Sequence, residues 1–150
     1  METKGSMTFD ETMRALHPHA QPILPNLWLG DINGGNIARS IPTFNVLNVR
    51  EDYITQLGGI RVSNGDGTLL PAGLDEAASW IAEHWNPNGN RHALVHCMAG
   101  MDRSPMCIVW FLQRQYNLSI DDAYMWVKIH RPVNDRRDWI QKDANIHSRT

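Results

Sequence analysis

Apolar positions along this chain fall into short blocks whose spacing alternates between strand-like and helical. Asn26-Leu27-Trp28-Leu29-Gly30, Phe44-Asn45-Val46-Leu47-Asn48-Val49 and Ile60-Arg61-Val62 are brief apolar-rich runs bounded by Gly, Pro, Asn and Asp, a pattern that predicts strands. Between the first two, Asn36 to Ser40 allows a single helical turn. Asp66-Gly67-Thr68 marks a loop. Leu74 to Trp85 then sets Ala77, Trp80, Ile81 and Trp85 at helical spacing, until Asn86-Pro87-Asn88-Gly89 ends the helix. Ala93-Leu94-Val95, flanked by His92 and His96, predicts a short buried strand running straight into Cys97. Ser104 as N-cap and Pro105 at the first helical position predict a helix over Met106 to Tyr116, apolar around most of its surface and therefore central. Ser119 with Asp122 starts another, Ile120 to His130, stopped by Arg131-Pro132, and a last amphipathic piece is predicted from about Asp135 to Ile146. Residues 1–22 are polar and punctuated by His and Pro, with a short helical stretch, Phe9 to Leu16, lacking a strong apolar face; they are expected to form a loosely structured lead-in. Strands alternating with helices and a helical C-terminal third predict an α/β domain, with a central, mostly parallel sheet flanked by helices on both faces.

Composition narrows what such a domain can do. A chain of 150 residues, 42% hydrophobic and with 6 Trp, suits one domain with a sizeable core. A net charge of −2 gives no global positive field for nucleic acid or an anionic membrane, so an anion must be bound locally. The longest apolar run, Met106 to Leu112, is far short of a membrane span, and Met1-Glu2-Thr3-Lys4 lacks the apolar core of a signal peptide. An intracellular, cytoplasmic protein is expected. Its 2 cysteines are too few for a disulfide framework, which leaves Cys97 a candidate nucleophile and Cys107, inside an apolar helix, a buried inert thiol. His17 and His19 have no partner at ligand spacing, so neither a metal nor a cofactor is expected.

The chemistry concentrates between His96 and Ser104, where a buried strand meets the N-terminus of a buried helix. Met98, Ala99, Gly100, Met101 and Asp102 are enough chain to curl the backbone around an anion, and Gly100 supplies a residue free to take positive φ. The helix adds unpaired N–H groups and its positive dipole end. That positive concavity also lowers the pKa of a thiol on its floor, which makes Cys97 a thiolate nucleophile beneath a bound phosphate. Arg103 can bring a planar fork to two phosphate oxygens.

The string His96-Cys97-Met98-Ala99-Gly100-Met101-Asp102-Arg103-Ser104 resembles the signature of the cysteine-dependent phosphatases, and specifically of the small dual-specificity protein phosphatases. Leu27-Trp28-Leu29-Gly30-Asp31, Val46-Leu47-Asn48-Val49 and the stretch from Ser119 through Arg131-Pro132 resemble the same family, so that the likeness covers roughly residues 24–133. It implies a phosphatase-like catalytic domain over residues 23–150 and a two-step reaction. Cys97 attacks phosphorus to form a cysteinyl-phosphate that water hydrolyses, while Arg103 and the loop amides stabilise the equatorial oxygens. It further implies an Asp general acid on a preceding loop, for which Asp66 has a fitting separation, a Ser104 hydroxyl that eases departure of the thiolate, and a His96 that orders the loop from behind. Asn134 stands where the family often places a residue bracing the loop. Asp102 departs from the usual small uncharged residue; its charge is expected to disfavour highly anionic substrates, and it is the second candidate for proton donor.

The implied activity is dephosphorylation of phosphotyrosine and phosphoserine/threonine in proteins by a monomer that needs no metal, membrane or nucleic acid. Two readings compete: an RNA 5′-triphosphatase on the same scaffold, disfavoured by the missing basic surface, and a catalytically silent module that binds phosphoproteins. A rhodanese-like sulfur carrier is disfavoured by Ser104 and the helical C-terminal third.

Overall fold

The computed structural model describes residues 8–49 and 59–142. In chain order its elements are α1 (Phe9–Leu16), β1 (Ala20–Leu24), β2 (Leu27–Gly30), α2 (Ile32–Ala38), β3 (Phe44–Asn48), α3 (Pro71–His84), β4 (His92–His96), α4 (Arg103–Tyr116) and α5 (Ile120–His130), followed by a 3-10 turn at Arg137–Trp139. They form a 4-stranded sheet in the order β1-β2-β4-β3. β4 pairs in parallel with both β2 and β3, whereas β1 adds an antiparallel edge to β2. Pro22 sits on that edge, where its missing N–H is tolerated, and the register slips between Pro22 and Leu24.

Side chains of β4 alternate between faces, and both faces are dry. Ala93 and Val95 join the larger core with Leu74, Ile81, Met106, Ile108 and Val127 from α3, α4 and α5. Leu94 points the other way, into a smaller core with Leu16, Ala20, Trp28 and Phe44 beneath α1 and α2. A strand buried on both sides in this manner reads as a continuous apolar run. Because β4 lies between two parallel neighbours, its carboxyl end opens in the middle of the sheet edge, the position where α/β sheets bind ligands.

Several local expectations are corrected. From Thr8 onward the expected lead-in belongs to the fold: Thr8 and Glu11 form a reciprocal capping box, Leu16 and Ala20 are fully buried, and β1 begins at Ala20. Met13 and Leu16 carry the inner face of α1 together with Thr12, a polar residue that masks the apolar stripe in the sequence. The helix after β2 is longer than one turn, because the Asp31 carboxylate caps the Gly34 amide (2.8 Å) and starts it early. Ile60 and Val62 are buried but form no strand; their backbone makes single bonds to Asn48 and Leu70 in place of a ladder. α3 crosses this segment so closely that a Cβ at Gly73 would run into the Arg61 carbonyl. The expected helix from Asp135 is only the 3-10 turn, after which Leu69 pairs with both Trp139 and Gln141 (2.8 and 2.7 Å); residues 143–146 lie outside the described chain. Among the described residues no helix is long and apolar enough to cross a membrane.

Candidate active site

β4 delivers His96 and Cys97 to the sheet edge, and the chain curls through residues 98–102 before entering α4 at Arg103. The curl is held by its carbonyls. His96 Nδ1 lies 3.0 Å from the Cys97 carbonyl, and the Ile32 amide at the start of α2 donates to that of Met98 (2.9 Å). Arg131 reaches in with Nη2 to Ala99 and Nε to Gly100, both at 3.1 Å. The Asn134 amide donates to Met101 (2.8 Å). Every carbonyl from Cys97 to Met101 is thus fastened on the outside of the curl, which turns the intervening amides inward. Gly100 adopts φ +69°, and a Cβ there would collide with the Gly30 carbonyl and the Arg131 guanidinium, so glycine is required on both counts.

The thiol shows the effect of those amides. Cys97 is 2% exposed, and burial pushes its pKa up; hydrogen bonds from the Ser104 hydroxyl and the Ser104, Gly100 and Asp102 amides outweigh that and hold it below an ordinary thiol. Cys97 Sγ and Ser104 Oγ are 3.2 Å apart. Ser104 is therefore not the helix N-cap that the Ser-Pro pair predicts: position 102 occupies the cap, without a side-chain cap bond, and the serine hydroxyl turns to the sulfur instead. Cys107, one helical turn into α4, is fully buried and its thiol is pushed well up by burial. The two thiols are consequently shifted in opposite directions.

His96 is wholly buried, with its Nε2 at 2.9 Å from Arg39 Nη2, and α2 accommodates it through Gly35, where any Cβ would fall into the imidazole. The Arg39 guanidinium can only donate, so Nε2 accepts and Nδ1 carries the proton given to the Cys97 carbonyl. At the mouth, Met98 and Ala99 are exposed, while Met101, Asp102 and Arg103 are half-buried. The Arg103 side chain makes no hydrogen bond or ion pair with another described residue.

Asp102 is tied to the chain beyond α5. Its Oδ1 accepts from Asn134 Nδ2 (2.8 Å) and Arg136 Nε (2.9 Å). The rim charge is thus matched by a guanidinium, and the exclusion of highly anionic substrates expected from Asp102 loses its basis. Asp66 is exposed, on the turn Asn64–Thr68, where its Oδ1 accepts from the Thr68 amide (2.9 Å) and its carboxyl is held below the usual range by Thr68. This turn and residues 138–142 border a cleft of about 500 Å³ whose lining includes no residue of the 96–104 segment. The structure therefore gathers His96, Cys97, Gly100, Asp102, Arg103, Ser104 and Asn134 into one loop region and leaves Asp66 on a separate turn, bordering a cleft that none of them lines.

Arg131, Arg39 and Ile32 are the contributors the sequence reading missed. Arg131 reads there as a helix stop and as the end of a family-like stretch, with no role at the loop, whereas a basic residue 9% exposed, with Gln21 as a further partner at 2.5 Å, is a framework group. A buried thiol whose pKa is lowered by surrounding amides, at the carboxyl end of a parallel strand and on the loop that leads to Arg103, is the arrangement a cysteine-dependent phosphatase centre needs. Among the described residues no group of His, Cys, Asp or Glu could hold a metal ion.

Comparison with known proteins agrees. Residues 36–147 match the model of the dual specificity phosphatase catalytic domain, and the chain belongs to that family. It is 32% identical over 122 residues to human dual specificity protein phosphatase 16, aligning 74% of this chain with 18% of that protein. To human dual specificity protein phosphatase 14 it is 31% identical over 100 residues, 65% of this chain and 46% of that one. The chain thus spans less than half the length of either relative. A crystal structure of a point variant of human DUSP28 superposes with a TM-score of 0.62 at 25% identity, covering 81% of this chain and 88% of that one.

Proposed function

We propose that this chain hydrolyses phosphotyrosine and phosphoserine/threonine in proteins through a cysteinyl-phosphate, acting in the cytoplasm as a monomer without metal or cofactor. The observation that carries the reading is the outward fastening of each carbonyl from Cys97 to Met101, which leaves an amide-lined cup over a thiol of lowered pKa. In the first step Cys97 Sγ bonds to phosphorus as the ester P–O bond breaks, and the departing oxygen takes a proton from Asp66. In the second, water attacks phosphorus, Asp66 accepts its proton, and the S–P bond breaks with the Ser104 hydroxyl donating to the emerging thiolate. Arg103 and the amides of residues 98–103 bind the equatorial oxygens. Asp66 must leave Thr68 to act; the dianionic phosphate raises the carboxyl it approaches, and Gly67 at φ +93° gives the turn its freedom. Asp102, committed to Asn134 and Arg136, serves as a structural carboxylate rather than the proton donor. His96 and Asn134 position the loop.

The test is hydrolysis of p-nitrophenyl phosphate with EDTA present, by wild type and Cys97→Ser, followed by phosphotyrosine and phosphothreonine peptides. Wild-type turnover on all three with a dead variant is the expected result. Activity confined to RNA 5′ ends, or stoichiometric phosphopeptide binding without phosphate release, would refute the proposal.

A further inference from the structure

Asp102 departs from the small residue its family resemblance leads one to expect, and its partner continues beyond the loop. Arg136, which donates to Asp102 Oδ1 at 2.9 Å, places its guanidinium 4.1 Å from the centre of the Trp139 ring. That ring lies beside the turn bearing Asp66 and borders the same cleft: a Cβ at Gly67 would sit 3.7 Å from it. The backbone completes the link, since the Leu69 amide donates to the Trp139 carbonyl (2.8 Å) and the Gln141 amide to the Leu69 carbonyl (2.7 Å). A line of contacts and backbone bonds therefore runs from the rim of the phosphate loop, through Arg136 and Trp139, to Leu69, the residue that directly follows the turn at residues 64–68.

We propose that Arg136 is a positioning residue for proton donation, a strut that sets the Asp66 turn at a fixed reach from the Cys97 loop. The inference rests on Asp66 being the general acid. A planar group suits this task, because the same guanidinium donates along its edge to Asp102 and lays its face on Trp139. Arg136 and Asp102 are both partly solvated, so their ion pair contributes little to global stability. Its consequence is geometric, and reactions that depend on proton transfer feel small displacements strongly.

The experiment compares kcat/KM across aryl phosphates of increasing leaving-group pKa for wild type, Arg136→Met, Trp139→Leu, Asp66→Ala and Asp66→Ala combined with Arg136→Met. A phenol that leaves with a pKa of about 10 needs the acid far more than a nitrophenol does. Arg136→Met is expected to lose about tenfold more on phenyl phosphate than on p-nitrophenyl phosphate, with the melting temperature nearly unchanged. Trp139→Leu breaks the strut at its other end and gives the same selective loss. On the Asp66→Ala background Arg136→Met adds no further selectivity. Equal loss on every ester, or none, while Asp66→Ala alone remains selective, overturns the strut and leaves the acid assignment standing. If Asp66→Ala shows no leaving-group selectivity, the acid assignment fails and the strut fails with it.

Discussion

Replacing Arg131 by Met tests most directly how the phosphate cup is held. The methionine keeps the bulk of the stem in a site 9% exposed but removes the donors to Ala99 and Gly100, each at 3.1 Å, and to Gln21. Hydrogen bonds to charged groups contribute about 1.5–3 kcal/mol each, so losing the pair to the loop weakens its curled form by roughly 3–6 kcal/mol before relaxation. If water or a backbone shift recovers half, about 1.5–3 kcal/mol remains, which corresponds to roughly 10- to 150-fold in the population of the competent loop. kcat/KM on p-nitrophenyl phosphate is expected to fall by about that factor. Once the amides no longer converge on the sulfur, the Cys97 thiol moves toward its ordinary, higher pKa, and the pH profile of iodoacetate inactivation shifts upward with it. Arg131→Lys keeps the charge but cannot span both carbonyls, and recovers less than half of the loss in kcal/mol terms. Arg131→Met within twofold of wild type, with an unshifted alkylation profile, would refute the idea that outward-fastened carbonyls organise the cup.

Other expectations follow from the same geometry. Ser104→Ala removes a hydrogen bond that lowers the Cys97 thiol, so the alkylation profile moves to higher pH, and slower breakdown of the cysteinyl-phosphate appears as a burst of nitrophenol in stopped flow. Gly100→Ala forces a side chain into φ +69° against the Gly30 carbonyl and Arg131; it is expected to cost about 100-fold or more in kcat/KM, and a loss under threefold would show that the loop relaxes freely. Asp135, held at about 2 by Arg137, has a depressed folded-state pKa, so its stabilisation is present above its ordinary pKa and lost as pH falls toward that value. The melting-temperature gap between wild type and Asp135→Asn is accordingly expected near neutrality and should close at about pH 2, remaining small throughout because the pair is exposed.

Much of this molecule was legible in its sequence because the signals are local. The strands at Leu27–Gly30 and Phe44–Asn48, the buried β4, the Ser119-capped α5 and the Cys97-to-Arg103 loop each follow from adjacent residues and simple spacing. Where local signals competed, they misled. Ser104 followed by Pro105 has the form of a cap, yet the hydroxyl found a better partner in a thiol brought within 3.2 Å by the curl. Asp135 to Trp139 has helical amphipathicity, yet Arg136 is drawn to Asp102 and Trp139 to Leu69, and the backbone yields after a 3-10 turn.

What the sequence determined by itself was the chemistry: a thiol, a guanidinium and a hydroxyl at spacings that one strand-loop-helix crossing can gather. Tertiary structure decided what makes that chemistry workable. Arg131 lies far along the chain from Ala99, Arg39 far from His96, and Ile32 far from Met98, and no periodicity relates them. Each meets the loop only because β2 and β4 run in parallel and α5 returns across the sheet edge beside β1. A backbone curl exposes a carbonyl for every amide it turns inward, and those carbonyls need donors from elsewhere in the fold. Only the packed molecule supplies them.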